Sequence, residues 1–192
     1  MRQDARRNHE VILSSAIAVL ADSPQASMRE IADASGIGRT TLYRHFPDRE
    51  ALVLAIDDHV QDEAEAIAAH HLTENAGADP VEVVAGLCAE LAGLGDRYRF
   101  LEHNLPAKAA ATESGRSRES EELLRRYLAA GQRAGTIRDD LDVGWLIQSL
   151  IAVVTQAAGH RFGDADARTR MVRATVTSLL APPPRDAAAP SI

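Results

Sequence analysis

The chain has 192 residues, is 45% hydrophobic and 26% charged, and carries a formal net charge of -7, ordinary values for a fold with a sizeable core. The length suits one domain, or a small module joined to a larger helical one. The single cysteine, Cys88, excludes an internal disulfide framework and a thiolate zinc cage, and an overall acidic chain is at first sight a poor nucleic-acid binder.

Aromatic residues make up only 4% and alanine runs throughout, which favours helices over sheets. The start, Met1-Arg2-Gln3-Asp4, has no apolar signal region. The longest apolar stretch, Trp145 to Ala158, contains Gln148, Ser149 and Thr155 and is too short to cross a bilayer. The expectation is a cytoplasmic protein without a membrane partner.

In chain order, Ile12, Ala16, Val19 and Leu20 recur at helical spacing and predict a helix from about Asp4 to Ala21, stopped by Asp22-Ser23-Pro24. Ser27-Met28-Arg29-Glu30 is a capping box, in which serine and glutamate satisfy each other's orphan amides. It opens a helix of barely two turns, closed by Gly36, which suits a left-handed cap. A second short helix is expected from Gly38 to about Phe46. Pro47-Asp48 then starts a long one to about Leu72, with Leu52, Ile56, Val60, Ala64 and Ile67 along one side.

Asn75 to Asp79 reads as a loop, and Asp79-Pro80 as a helix start whose buried face is Val83, Val84, Leu87, Leu91 and Leu94. A short helix around Tyr98–Asn104 is broken by Pro106. Helices follow over about Ser117–Ala134, Asp142–His160 and Asp164–Ala181, before Pro182-Pro183-Pro184 ends the fold. The Ala/Pro tail is expected to be disordered. No strand-like alternation, repeat or Gly-rich phosphate loop is evident, so the chain is all-α, with about nine helices.

Two short helices joined by a tight glycine turn outline a helix-turn-helix. Ile31 and Ala32 face Leu42 and Phe46, with Ile37 in the turn. With Leu42 inward, Thr40 and Arg44 point outward, flanked by Thr41 and Tyr43. These hydroxyls, phenol and guanidinium can donate to phosphates and read base edges in a major groove. His45 and Arg49 follow at the helix end, placed for the backbone. A short polar helix is by itself an ordinary solvated face; the capping box, glycine turn and Tyr43-Arg44-His45-Phe46 together point to DNA. Charge permits this, because residues 1–56 hold seven arginines and seven acids, leaving the whole deficit of seven to the rest. Screening confines the interaction to about 10 Å, so a neutral head can bind phosphate.

The run from Ser27 to Leu52, SMREIADASGIGRTTLYRHFPDREAL, resembles the DNA-binding signature of the TetR family of regulators, and the likeness extends from about Ile12 to Ile56. Beyond it, the chain is similar to the family in helix count and in the Gly135-Thr136-Ile137-Arg138 turn. The resemblance implies an N-terminal helix-turn-helix domain over 1–50, a ligand-binding and dimerisation domain over 51–181, and a tail over 182–192. It implies DNA contacts from Ser27, from Arg39, Thr40, Thr41, Tyr43, Arg44 and His45, and from Arg49, where the family usually has a phosphate-binding lysine. Gly38 replaces a commoner serine or alanine and makes a weaker N-cap. The implied partners are a double-stranded operator, a second copy of the chain and a small-molecule effector, with no cofactor or metal.

In the body, the helix over 142–160 presents Leu146, Leu150, Val153, Val154 and Ala157, with Trp145, Ile147 and Ile151 beside them. The helix over 164–181 presents Met171, Val172, Thr175, Val176, Leu179 and Leu180. Both stripes are either intrachain core or a four-helix dimer interface; for the second reading, Leu150, Val154, Met171, Thr175 and Leu179 are the expected contacts. Cys88, Leu91, Tyr98, Leu101, Asn104, Tyr127, Trp145 and Gln148 are candidates to line an effector pocket, with ordinary packing as the alternative. His70-His71 lacks a matching ligand set and no nucleophile–base pair stands out, so no enzyme is expected. The leading expectation is a ligand-responsive regulator, a repressor released from a palindromic operator by its effector; the alternatives are a DNA- or protein-binding adaptor without an effector and an enzyme using the body cavity, and steep salt dependence marks the DNA binder.

Overall fold

The computed structural model describes residues 2–75, 77–104, 115–160 and 162–183. These form eight α-helices and one 3-10 helix, with no strand among the described residues. In order they are α1 (Arg2–Asp22), α2 (Met28–Ser35), α3 (Arg39–His45), α4 (Arg49–Glu74), α5 (Pro80–Arg97), the 3-10 helix η1 (Arg99–His103), α6 (Gly115–Ala134), α7 (Val143–Gly159) and α8 (Ala165–Leu180). The expected break at Pro106 and the tail from Pro184 lie outside the described residues.

Aspartates open four of these helices. Asp48 Oδ1 accepts the Ala51 amide at 2.8 Å and Asp79 Oδ1 that of Val81 at 2.8 Å. Asp142 and Asp164 do the same for Trp145 at 3.1 Å and Ala167 at 2.5 Å. Each supplies an acceptor to a first-turn N–H that has no intrahelical partner.

Packing divides the chain into two compact units. The first comprises the described residues of 1–65 and 94–117, the second those of 66–93 and 118–192. The first unit therefore reaches beyond residue 50, the expected end of the head. It takes in the first part of α4, where Leu52, Val53 and Ile56 are buried. It also takes in η1, against which α1 packs.

The second unit is built on α5, α6, α7 and α8. Val84, Ala85, Leu128, Leu146, Ile147, Leu150, Val176 and Leu180 form its core, joined by Ile137 from the turn after α6. Gly135 in that turn has φ 70°, which glycine adopts without a Cβ penalty. The Thr136 and Ile137 amides both return to the Gly131 carbonyl, at 3.0 and 3.2 Å. Ile137 thereby folds back over Gly131, where a Cβ would come within 2.6 Å of its Cδ1 and 2.8 Å of its Cγ1. Gly131→Ala forces this buried contact apart and is expected to cost about 1–3 kcal/mol in urea unfolding; an unchanged midpoint would show that the turn yields freely.

Candidate nucleic-acid interface

The reading head is assembled from short-range rules. Ser27 accepts the Glu30 amide on its Oγ at 3.3 Å, while Glu30 Oε2 accepts the Ser27 amide at 2.7 Å and the Ser27 hydroxyl at 2.6 Å. The serine hydroxyl and amide together hold the Glu30 carboxyl below the usual range, with Arg29 adding to the effect. Gly36 ends α2 in the left-handed region, φ 66° and ψ 8°. α3 follows with Gly38 as its N-cap and no side-chain capping bond, as a glycine there requires.

α3 is only seven residues long, so packing must hold it. Leu42 is wholly buried and Phe46 nearly so, with Ile31 and Ala32 buried on α2. The opposite side is open: Arg39, Thr40 and Arg44 are exposed, Tyr43 is 48% exposed, and Thr41 is half-buried. Anchored by Leu42, α3 offers a hydroxyl, a phenol and two guanidinium groups on one solvent-facing side.

Two of the residues expected at the DNA, His45 and Arg49, have partners within the chain. His45 turns under the helix, where its Nε2 is buried without a hydrogen-bond partner. Its ring lies 6.0 Å from that of His9, which itself lies 4.8 Å from Phe46. Burial, then the charges of Arg44 and His9, lower the His45 pKa. Lying three residues after Leu42, His45 is about 60° from the inward direction at 100° per residue, at the border between the buried and open sides. Arg49 is half-buried and committed to the protein's own oxygens. Its Nη1 donates to the Ala26 carbonyl, and its Nη2 to the Pro24 carbonyl at 2.7 Å and to Asn104 Oδ1 at 2.8 Å. These bonds take three of the guanidinium's five N–H donors and tie Arg49 to the chain's own oxygens.

The head's matching model is that of bacterial regulatory proteins of the tetR family, over residues 12–56, and a second, the SbtR-like transcriptional regulator C-terminal domain, matches 79–180. The chain belongs to the TetR family. It is a DNA-binding transcriptional regulator. The repressor LfrR of Mycolicibacterium smegmatis is 45% identical over 56 residues, which span 29% of this chain and 30% of LfrR. The regulator NfxB of Pseudomonas aeruginosa is 28% identical over 173 residues, covering 85% of this chain and 84% of NfxB. A crystal structure of AibR in complex with isovaleryl coenzyme A and operator DNA superposes with a TM-score of 0.67 at 20% identity, covering 92% of this chain and 99% of that one. At that identity the likeness is one of fold.

The regulator's expected pocket residues fall in both compact units. Tyr98, Leu101 and Asn104 belong to the first unit and the other five to the second. Tyr98 is buried and donates its hydroxyl to Glu63 at 3.2 Å. Its phenol pKa is raised by burial and by the Glu63 charge. Leu101 is buried, and Asn104 serves Arg49. Cys88 is core, with burial pushing its thiol up to about 12, and Leu91 is half-buried. Tyr127 does line a cavity of about 430 Å³, with Leu72, Asn75, Pro80, Gly131 and Thr136. Trp145, at 64% exposure, and Gln148 face solvent and not an interior wall.

The two-helix stripe is also divided. Leu150 is 2% exposed and belongs to the intrachain core, against which Val154 and Leu179 pack. Met171 and Thr175 are exposed. The open face of α7 is instead Trp145, Gln148, Ile151, Ala152, Thr155 and Gln156, out of phase with Leu150 and Val154. A stripe the sequence reading missed lies on α4: Asp57, Gln61 and Glu65, four residues apart, are half-buried, and Glu65 Oε1 is buried without a hydrogen-bond partner. Burial and then Asp58 push the Asp57 carboxyl up, against the Gln61 hydrogen bond. Polar residues at i, i+4 and i+8 were the available signal. No helix among the described residues is long and apolar enough to cross a membrane, and no group of three or more His, Cys, Asp or Glu among them is placed to hold a metal.

The His45 environment has a pH consequence. A histidine whose folded pKa is lowered binds fewer protons folded than unfolded, so its contribution is intact above the unfolded value near ~6.5 and is lost as pH falls below it. Stability is expected to decline on acidification through this window, and His45→Gln to flatten that decline. Parallel denaturation series over pH for the two proteins test this; identical slopes would remove His45 from the account.

Proposed function

We propose that the regulator is a homodimeric, effector-responsive repressor that binds a palindromic operator in the cytoplasm through the outer side of α3. The observation that carries this reading is the division of α3 into a buried anchor, Leu42, and an open side bearing Arg39, Thr40, Tyr43 and Arg44. Thr41 lies at the edge of that side, and Ser27 is exposed at the start of α2. Arg44 and Arg39 have the donors to engage guanine or phosphate, and Tyr43 and Thr40 the hydroxyls to reach the backbone.

A second copy supplies the second reader, its helix about one DNA turn (~34 Å) away. The open sides of α7 and α8 favour such a partner. α7 has no charged residue in its 17 positions, and Trp145, Ile151 and, on α8, Met171 are large apolar side chains left exposed. Repression as the sign is supported by the relative LfrR, described as a repressor. Effector control is supported by AibR, whose structure holds both isovaleryl coenzyme A and operator DNA. The Tyr127 cavity has the volume and the mix of apolar walls and hydroxyl groups suited to a small ligand. An effector acts only by binding one state of the dimer more tightly than the other. α4, which contributes residues to both units, is the element that carries the difference. The reading contains no catalytic step.

Tyr43→Ala combined with Arg44→Ala is expected to weaken operator binding at least about a hundredfold while dimer mass is retained. Gel shifts like those of the wild type would refute the assignment of the reading helix. Wild-type affinity should also fall steeply with salt, because phosphate contacts release counterions; a protein-binding adaptor would not show this on DNA. Ile151→Glu with Thr175→Glu is expected to yield monomers in sedimentation at micromolar concentration, and persistence of the dimer would move the interface elsewhere.

A further inference from the structure

Arg49 joins three segments that are far apart in sequence. Its guanidinium holds the Pro24 and Ala26 carbonyls of the loop between α1 and α2, and Asn104 Oδ1 at the end of η1. The loop leads directly into Ser27, the N-cap of α2, so these carbonyls fix where the helix-turn-helix begins relative to the first turn of α4. Ala26 is 5% exposed, and its amide is bound to the Ser23 carbonyl at 2.9 Å. The loop is closed by that turn and runs straight into Ser27, so a shift of its carbonyls is passed to the start of α2.

Asn104 is itself held in place. Its Nδ2 donates to the Phe100 carbonyl at 2.7 Å and its backbone amide to the Leu101 carbonyl at 2.9 Å. With the nitrogen committed to a carbonyl, the amide must turn its oxygen to Arg49. Arginine has no acceptor, so only an oxygen at residue 104 can complete this link. A cationic donor shared among three neutral oxygens is a directional clamp, stronger than a neutral hydrogen bond.

We propose that Asn104 is a positioning residue for operator recognition: through Arg49 it holds the start of α2 in the register that presents α3 to DNA. The inference rests on the regulator reading. Without the Asn104 oxygen, Arg49 keeps its charge and its loop carbonyls but loses its tie to η1. The head then spends less time in the DNA-competent arrangement, and apparent affinity falls by that fraction. Specific binding suffers, because it needs register. Non-specific binding, which phosphate attraction supplies, does not.

The test uses the full chain and a duplex selected by the wild-type protein from a random-sequence pool, with a scrambled duplex as control. Failure of the wild type to select any duplex would count against the regulator reading itself. Given a selected duplex, Asn104→Ala is expected to weaken specific binding about tenfold, to leave scrambled-duplex affinity unchanged and to keep the melting temperature near that of the wild type. Asn104→Asp, which retains an acceptor, is expected to restore specific binding to within about threefold. In an Arg49→Lys background, whose shorter and differently shaped cation cannot span the three oxygens, Asn104→Ala is expected to have no further effect. Wild-type specificity in Asn104→Ala, or an undiminished effect in the Arg49→Lys background, overturns the proposal. Loss of specific and scrambled binding together, with a lowered melting temperature, would assign Asn104 a merely structural role and also overturn it; Asn104→Asp and the Arg49→Lys background keep the test informative if Asn104→Ala folds poorly.

Discussion

The burial of Leu42 is the constraint on which the reading side depends. A seven-residue helix has too few internal hydrogen bonds to persist alone, since nucleation fixes several dihedrals for the first bond gained. What keeps α3 helical is its apolar edge against α2, with Ile31 wholly buried there. The same contact decides orientation. One inward residue sets which side chains face out, and Thr40 and Arg44, two positions either side of Leu42, are consequently in solvent. Gly36 makes this arrangement possible by reversing the chain in a conformation that a Cβ would strain.

Around that small core the head is braced by polar groups that satisfy backbone oxygens and amides rather than solvent. Glu30 closes the start of α2, Asp48 closes the start of α4, and Arg49 gathers loop carbonyls from more than twenty residues away in sequence. His45 is the discordant member: a polar ring under the recognition helix with an unmatched nitrogen, beside another imidazole. Its neutral form is the one the fold accommodates, because charging it would place a cation next to Arg44 with no acceptor at hand.

What the sequence made legible was local. The capping box, the left-handed glycine, the aspartate starts and the Leu42/Phe46 edge all obey rules that span four residues or fewer, and each is found where those rules put it. The intrachain partners of Arg49 were not legible because they are 23, 25 and 55 residues distant and leave no periodic trace. The closeness of the His45 ring to His9 and Phe46 was not legible because a residue 60° from the inward direction belongs to neither side of a helical wheel. α7 defeated periodicity for a different reason. Both of its sides are uncharged and carry large apolar residues, so hydrophobicity alone could not say that Leu150 is interior and Ile151 exterior.

That uncharged helix has a consequence for partner choice. Surfaces that refuse wrong partners commonly do so with misplaced like charges or stranded polar groups. In the proposed dimer the outer side of α7 carries no charge to refuse a partner, so selection there falls to shape around the Trp145 indole and to the polar groups of Gln148, Thr155 and Gln156. At that proposed interface a related chain bearing similar knobs and hollows would meet little electrostatic resistance.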